Sequence, residues 1–339
     1  MDTLLYYKEA SDGQILEEGI TEAGSMSSFI AAGTAYATHA VNTIPFFIYY
    51  SMFGFQRIGD LIWAAGDSRA RGFLLGGTAG RTTLAGEGLQ HQDGNSQLFA
   101  LAYPNCVSYD PAFAYEISVI IEDGIRRMYV DQESIFYYLT VMNEQYAMPE
   151  MPEGVREGIL KGMYRFRAAS KPDAKLRAQL FGSGAILPEV IKAQAILEEK
   201  YNVGADVWSV TSYGELYRDG HAADRWNMLH PAGEQKVPYV TQKLGNALGV
   251  FVAASDYLKV LPDAIDRWLP RKLVSLGTDG FGRSESRPDL RNHFEVDARF
   301  IVVGTLSALM RDGQVDAKVV QQAIADLGID AEKKDPAIA

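Results

Sequence analysis

The chain is poor in cysteine. Cys106 is the one thiol in 339 residues, which excludes an intramolecular disulfide framework and fits a reducing compartment. Basic residues are in deficit, 32 Lys and Arg against 43 Asp and Glu, for a formal charge of −11. Nucleic acid is therefore not the expected partner, since binding it needs a basic surface. Residues 23 to 56 carry no Asp, Glu, Lys or Arg at all. That stretch still does not read as a membrane span, because Ser25, Ser27, Ser28, Thr34, Thr38, Asn42 and Pro45 interrupt it before ~18 consecutive apolar residues accumulate. The opening MDTLLYYKEA lacks a basic region followed by a long apolar core. It does not read as a signal peptide, and a cytoplasmic protein is expected. With 47% apolar and 22% charged residues, the composition predicts a globular chain of about two domains at roughly 150 residues each.

What the sequence does contain is an alternation of helical and strand patterns. GITEAGSMSSFIAAGTAYATHA predicts a helix of small residues, and IPFFIYYS a strand covered on both faces, with Phe46 and Ile48 in the core. An amphipathic helix from about Phe55 to Ala70, the strand GFLLGG, a glycine-rich loop and the strand NCVSYD follow. A helix opened by Pro111 and the strand SIFYYLTVM complete the first set. MNEQYAMPEMPEGV, with two prolines and no periodicity, reads as the linker between residues 1–150 and 151–339. Beyond it, KLRAQLFGSG, ADVWSVTS, GVFVAASD and KLVSLGTDG predict strands. LPEVIKAQAILEEKYN, YLKVLPDAIDRWL and two C-terminal segments ending near Ile329 predict helices. This order implies α/β architecture with largely parallel sheets in two successive domains.

Three features carry chemistry. Glu22 opens the uncharged helix; it complements the helix N-terminus, or it sits at the edge of an apolar layer where desolvation favours the protonated form that proton transfer uses. Tyr50 and Phe53 lie where the IPFFIYYS strand ends. In an open α/β sheet that end faces the ligand crevice, where aromatic rings stack on flat cofactors. The loop GEGLQHQDG, residues 86 to 94, has three readings: a solvated turn, a metal site on Glu87 and His91, or a functional loop with His91 as acid, base or hydrogen-bond donor and Glu87 as a polar anchor. The metal reading is disfavoured, because the four-residue spacing converges only on a helix and the glycines oppose one. A hydrolase built on Glu87, Asp93 and His91 lacks a nucleophile. His39 is placed to cap its helix, and His221, His230 and His293 read as surface or interface groups. GSG at 182 to 184 has the form of a phosphate cradle but reads more readily as an ordinary tight turn.

Several motifs carry a family resemblance. GITEAGSMSSFIAAGT, IPFFIYYSMFGFQRIGDLIWAAGD, RGFLLGGTAGRTTLAGEGLQHQDG, PNCVSYDPAFAYE, SVTSYGELYRDG, RWNMLHP and GTDGFGRSESRPDLRNHFEVDA closely resemble homodimeric, bacterial-type pyruvate dehydrogenase, the decarboxylating first component of the pyruvate dehydrogenase complex. The likeness covers nearly the whole chain, and the element order is more distantly similar to transketolases. The resemblance implies a thiamin diphosphate enzyme with a pyrimidine-binding parallel-sheet domain over residues 1–150 and a transketolase C-terminal-like α/β domain over 151–339. It implies that Glu22 hydrogen-bonds a ring nitrogen of the aminopyrimidine, promoting the imino tautomer and through it the reactive ylid. It places Tyr50 and Phe53 around that ring with Arg57 nearby, and His91 and Glu87 on the active-site side. Where the family commonly continues with further histidines, Asn95 and Gln97 stand here.

The resemblance begins just before the glutamate, inside the pyrimidine-binding domain. It implies that magnesium and the diphosphate are held by a separate N-terminal domain or subunit, because this sequence has no GDG followed by a suitably spaced asparagine. No metal ligands are expected on this chain. The implied partners are that N-terminal portion, the dihydrolipoyl acyltransferase of the complex and a second copy. Two readings follow: the catalytic half of a pyruvate dehydrogenase that passes acetyl groups to lipoamide, or a non-catalytic oligomerisation or regulatory module derived from one.

Overall fold

The computed structural model describes residues 10–339; the reading of the first nine residues lies outside them. Two sheets organise the chain. The first holds β1 (Phe46–Tyr50), β2 (Phe73–Gly77), β3 (Cys106–Tyr109) and β4 (Phe136–Thr140) in the order β1-β2-β4-β3, all parallel. The second holds β5 (Tyr164–Arg167), β6 (Leu176–Gly182), β7 (Val203–Ser209), β8 (Val250–Ala254) and β9 (Leu273–Leu276) in the order β5-β7-β6-β8-β9. Only β5 on β7 is antiparallel; the other pairs are parallel. Among the described residues no helix is long and apolar enough to cross a membrane.

Parallel strands need helical crossovers, and these cover both faces of the sheets except along β1. Neighbouring residues divide between the faces: Tyr138 packs with Met26, Phe29, Ile62 and Leu74, while Tyr137 packs with Phe73, Val107, Ile120 and Met128. In the second sheet Leu180 joins Val190, Val252 and Leu306, and Phe181 joins Trp208, Leu216 and Phe251. The helix Glu22–Gly33 starts where the Thr21 hydroxyl accepts the Gly24 amide at 3.3 Å, and ends where Gly33 meets the chain entering β2. A Cβ at Gly33 would stand 2.7 Å from the Arg71 carbonyl, and the Gly33 carbonyl accepts the Arg71 amide at 3.0 Å. Only glycine allows that approach.

Four expectations need correction. β1 is an edge strand with one uncovered face, so Phe46 and Ile48 are 45% and 68% exposed rather than core. An apolar run predicts burial but cannot reveal that nothing lies against its second side. The segment from Tyr257 to Leu269 is not one helix. It forms a four-residue turn, Val260–Asp263, and a 3₁₀ turn, Asp266–Trp268, broken around Pro262, whose ring cannot continue a helix interior. Pro111 precedes its helix rather than opening it; the helix Ala114–Ile125 starts after Phe113, whose amide is bonded by Glu116. β5, YRFR, is a further strand outside the expected set: it alternates over only four residues and has no apolar run to mark it. The segment 141–152 has no regular structure, as its composition indicates.

The two sheets are joined through buried polar groups. Glu116, fully buried, accepts the Ala112 and Phe113 amides on one oxygen and the hydroxyls of Tyr164 (2.6 Å) and Ser209 (2.7 Å) on the other. Asp110 receives the Thr140 hydroxyl at 2.6 Å; its amide bonds the Thr211 carbonyl and its carbonyl accepts the Gly184 amide. The GSG turn therefore backs onto a carboxylate, since a Cβ on Gly184 would lie 2.7 Å from both Asp110 oxygens. It is a packed turn, with the Asp110 carboxyl standing where a phosphate would have to go.

Burial pushes the Asp110 carboxyl up from 3.8 to about 7. The folded chain then binds this proton more tightly than the unfolded one, so stability from this group is present below about 4 and is lost as pH rises towards 7. Urea unfolding of wild type and Asp110→Asn across that range should give a wild-type-minus-variant difference that declines as pH rises. A flat difference would contradict the assignment.

Candidate functional site

The site forms at the carboxyl end of the first sheet. The β1–β2 register pairs Tyr50 with Gly77, which sets the end of β1 beside the start of the loop leaving β2. Tyr50 ends the strand and leads into a short 3₁₀ turn, Ser51–Phe53. Immediately after Gly54 the helix Phe55–Asp67 begins and carries Arg57 in its first turn. Because strand, turn and helix follow without a spacer, Tyr50, Phe53 and Arg57 project into one region.

Glu22 reaches the same region from the N-terminus of its helix. Arg57 Nη1 donates to Glu22 Oε1 at 3.1 Å, and the Arg57 guanidinium carbon lies 4.1 Å from the Phe53 ring centroid. The Glu22 side chain is 17% exposed against 51% for Arg57. The carboxylate is thus neither isolated in an apolar layer nor loose in solvent: a cation faces it and an aromatic face backs the cation.

His91 closes the cluster from the loop. Its ring centroid lies 5.3 Å from Tyr50 and 5.1 Å from Phe53, and those two rings meet edge-on at 6.1 Å. Among the described residues His91 Nδ1 is buried without a hydrogen-bond partner. A buried, unanswered imidazole nitrogen is uncommon in a folded protein. Glu22, Tyr50, Phe53, Arg57 and His91 therefore converge. Glu87 does not: it stands exposed on the loop, with no hydrogen bond or ion pair among the described residues.

Such an arrangement suits a flat, nitrogen-bearing ring. Tyr50 and Phe53 offer aromatic surfaces, Glu22 a carboxylate for a ring nitrogen, and His91 a proton site. Among the described residues no three His, Cys, Asp or Glu side chains converge as a metal would require. Asp93 takes no part in the cluster. It is fully buried, and its carboxylate accepts the Asn95 and Ser96 amides at 2.9 Å and the Ser96 hydroxyl.

Asn95 and Gln97 have structural partners. Asn95 accepts from Arg81 at 2.8 Å, and Gln97 is buried, donating to the Tyr109 carbonyl and the Thr140 hydroxyl. Of the other histidines, His39 ends the short helix Ala35–Thr38, donating its amide to Ala35 at 2.8 Å. His221 packs on Trp268 and His230 stacks on Trp226. His293 is lowered from its ordinary pKa by burial and by nearby Lys333 and Arg283. Sequence reading missed Arg81 and Asp256, both buried behind the loop. A lone Arg in GRTTL and a lone Asp after a strand offer no local signal.

Known proteins resemble this chain over both of its sheets. The family described as pyruvate dehydrogenase E1 component middle domain matches residues 1–149, and the transketolase-like TK C-terminal domain matches residues 162–297. The pyruvate dehydrogenase E1 component of Pseudomonas aeruginosa is 56% identical over 336 residues, covering 99% of this chain and 38% of that protein. Its Escherichia coli counterpart is 54% identical over 340 residues, covering 100% and 38%. The chain thus spans well under half the length of these curated relatives. Among solved structures, transketolase from Campylobacter jejuni aligns with a TM-score of 0.62 at 15% identity, over 82% of this chain and 38% of that one. A split gene transketolase, described as an inactive beta4 tetramer, aligns at 0.62 and 16% identity over 86% and 83%. At that identity the structural likeness establishes the mixed α/β, transketolase-like fold.

The Glu22–Arg57 pair is half-open to solvent and should add little to stability. Glu22→Gln is expected to change unfolding free energy by no more than about 1 kcal/mol, read by denaturant titration. A much larger loss would make Glu22 a structural group.

Proposed function

From its homology to bacterial pyruvate dehydrogenase E1 components, we propose that this chain supplies the aminopyrimidine side of a thiamin diphosphate site, with Glu22 as proton partner of the ring. The observation that carries this reading is the convergence of Glu22, Tyr50, Phe53 and His91 from three separate segments onto the carboxyl end of one parallel sheet. Thiamin diphosphate, when bound, supplies the electron sink for decarboxylating a 2-oxo acid.

The residues divide the work. Tyr50 and Phe53 flank the ring and exclude water from it. Glu22 shares a hydrogen bond and a proton with a ring nitrogen, while Arg57 keeps the carboxylate oriented and offsets its charge. His91 holds a proton near the reacting carbonyl carbon's oxygen. Glu87, on the exposed lip of the loop, joins the site when another polypeptide covers it.

The substrate we propose is pyruvate, with the acetyl group passed to lipoamide on a dihydrolipoyl acyltransferase. Magnesium and the diphosphate are held by a portion of the protein outside this chain, which spans 38% of its relatives. The uncovered side of β1, with Ile44, Phe46 and Ile48 exposed beside Tyr50, supports docking of another polypeptide or a second copy over this end of the sheet. The same face also suits the alternative, a non-catalytic oligomerisation or regulatory module.

Reconstitution separates these readings. Mixed with the remaining portion of a pyruvate dehydrogenase E1 component, the chain should restore thiamin-dependent carbon dioxide release from pyruvate. Glu22→Gln should lower kcat by about 10²- to 10⁴-fold, the range for loss of a positioned acid or base. Turnover that survives Glu22→Gln defeats the proton-partner role, and a stable complex without turnover favours the module.

A further inference from the structure

We infer that Asp256 and Arg81 are positioning residues for His91: through them the second domain sets the seat of the loop that presents the imidazole. The inference rests on the reading of His91 as a site residue. The loop from Thr78 to Asn95 has little structure of its own, only the 3₁₀ turn Leu89–His91 and a bridge between Gly80 and Asp93. Nor does the His91 Nδ1 atom find a hydrogen bond among the described residues. The ring therefore sits where the loop backbone carries it, and that backbone is held from behind.

Asp256 follows β8 and is fully buried. Its carboxylate accepts the Thr82 amide at 3.0 and 3.2 Å. The approach is close enough that Gly80, at φ +89°, could not carry a Cβ, which would stand 2.1 Å from an Asp256 oxygen. Arg81 crosses the base of the loop, donating to the carbonyls of Thr278 and Gly280 and to Asn95 at 2.8 Å. Gly94 passes over its guanidinium, where a Cβ would lie 2.7 Å away. The two ends of the loop are thereby tied to one another and to the chain after β9.

A separate tie to the second domain holds the residue next to His91. Gln92 accepts the Arg283 amide at 2.8 Å and donates to the Leu84 carbonyl at 3.1 Å. A buried carboxylate and a buried guanidinium are costly unless answered. Each here is answered mainly by backbone of the opposite domain, so the loop cannot shift without stranding them. Support of this kind is what holds a functional side chain to a fraction of an ångström.

Nuclear magnetic resonance of the histidine ring protons in the full chain tests this without turnover. In the wild type, the His91 signals, identified with His91→Gln, should be displaced by the Tyr50 and Phe53 ring currents. Asp256→Ala and Arg81→Met should each return them towards free-histidine positions and raise amide exchange across residues 82–92 at least tenfold. Asp256→Asn and Arg81→Lys should be intermediate, and they give the reading should the harsher variants fail to fold. Leu309→Ala, a core change in the second domain, should leave His91 in place. Folded variants whose His91 signals and exchange match the wild type overturn the inference, as would equal displacement by Leu309→Ala. Because the readout is independent of catalysis, a reconstituted enzyme indifferent to His91→Gln would defeat the site reading and leave the positioning result standing.

Discussion

The Thr82 amide held on the buried Asp256 carboxylate is a small interaction on which much of the molecule's working geometry depends. Parallel strands deliver their carboxyl ends to one side of a sheet, but the loops that leave them have no ladder to keep their shape. The loop after β2 is bounded by glycines, and its rigidity comes from a domain that contributes none of the aromatic rings. The aromatic cluster at the end of the first sheet is thus braced by the second.

Burial of charge recurs along the same seam. Glu116 and Asp110 lie between the sheets and Asp256 beneath the loop, each raised from its ordinary pKa chiefly by loss of water. Arg291 partly restores Asp256, and neighbouring hydroxyls partly restore the other two. The acidic balance of the chain is therefore not only a surface property. Three of its carboxylates act as fasteners, each taking backbone amides or hydroxyls that would otherwise lack partners.

Most of the element order was legible because α/β proteins write it twice, once in hydrophobic period and again in the turns between elements. The strands FFIYY, FLLGG and VFVAA fall where their apolar runs lie. What composition could not convey was which sides are covered. Phe46 and Ile48 look like any buried strand residue, yet they line an open edge, and β5 pairs through YRFR, which has no apolar run to announce it. Tyr50, Phe53 and Arg57 were readable because they follow one another through a strand, a turn and a helix start. Glu22 and His91 drew attention as charge in an uncharged region and as a histidine among glycines. Glu87 shared that loop but not its inward direction. The Thr82–Asp256 bond spans 174 residues, and no local pattern anticipates a contact at that range.

The pairing of Tyr50 with Gly77 makes two adjacent tyrosines into opposites. Tyr49 is sealed in the interior against Tyr138, whereas its neighbour looks outward to the histidine. Side chains of a strand alternate, so a slip of β1 by one residue against β2 would exchange the two roles wholesale. The pairing of the two strands, more than the residues leading into β1, decides which phenol meets the histidine.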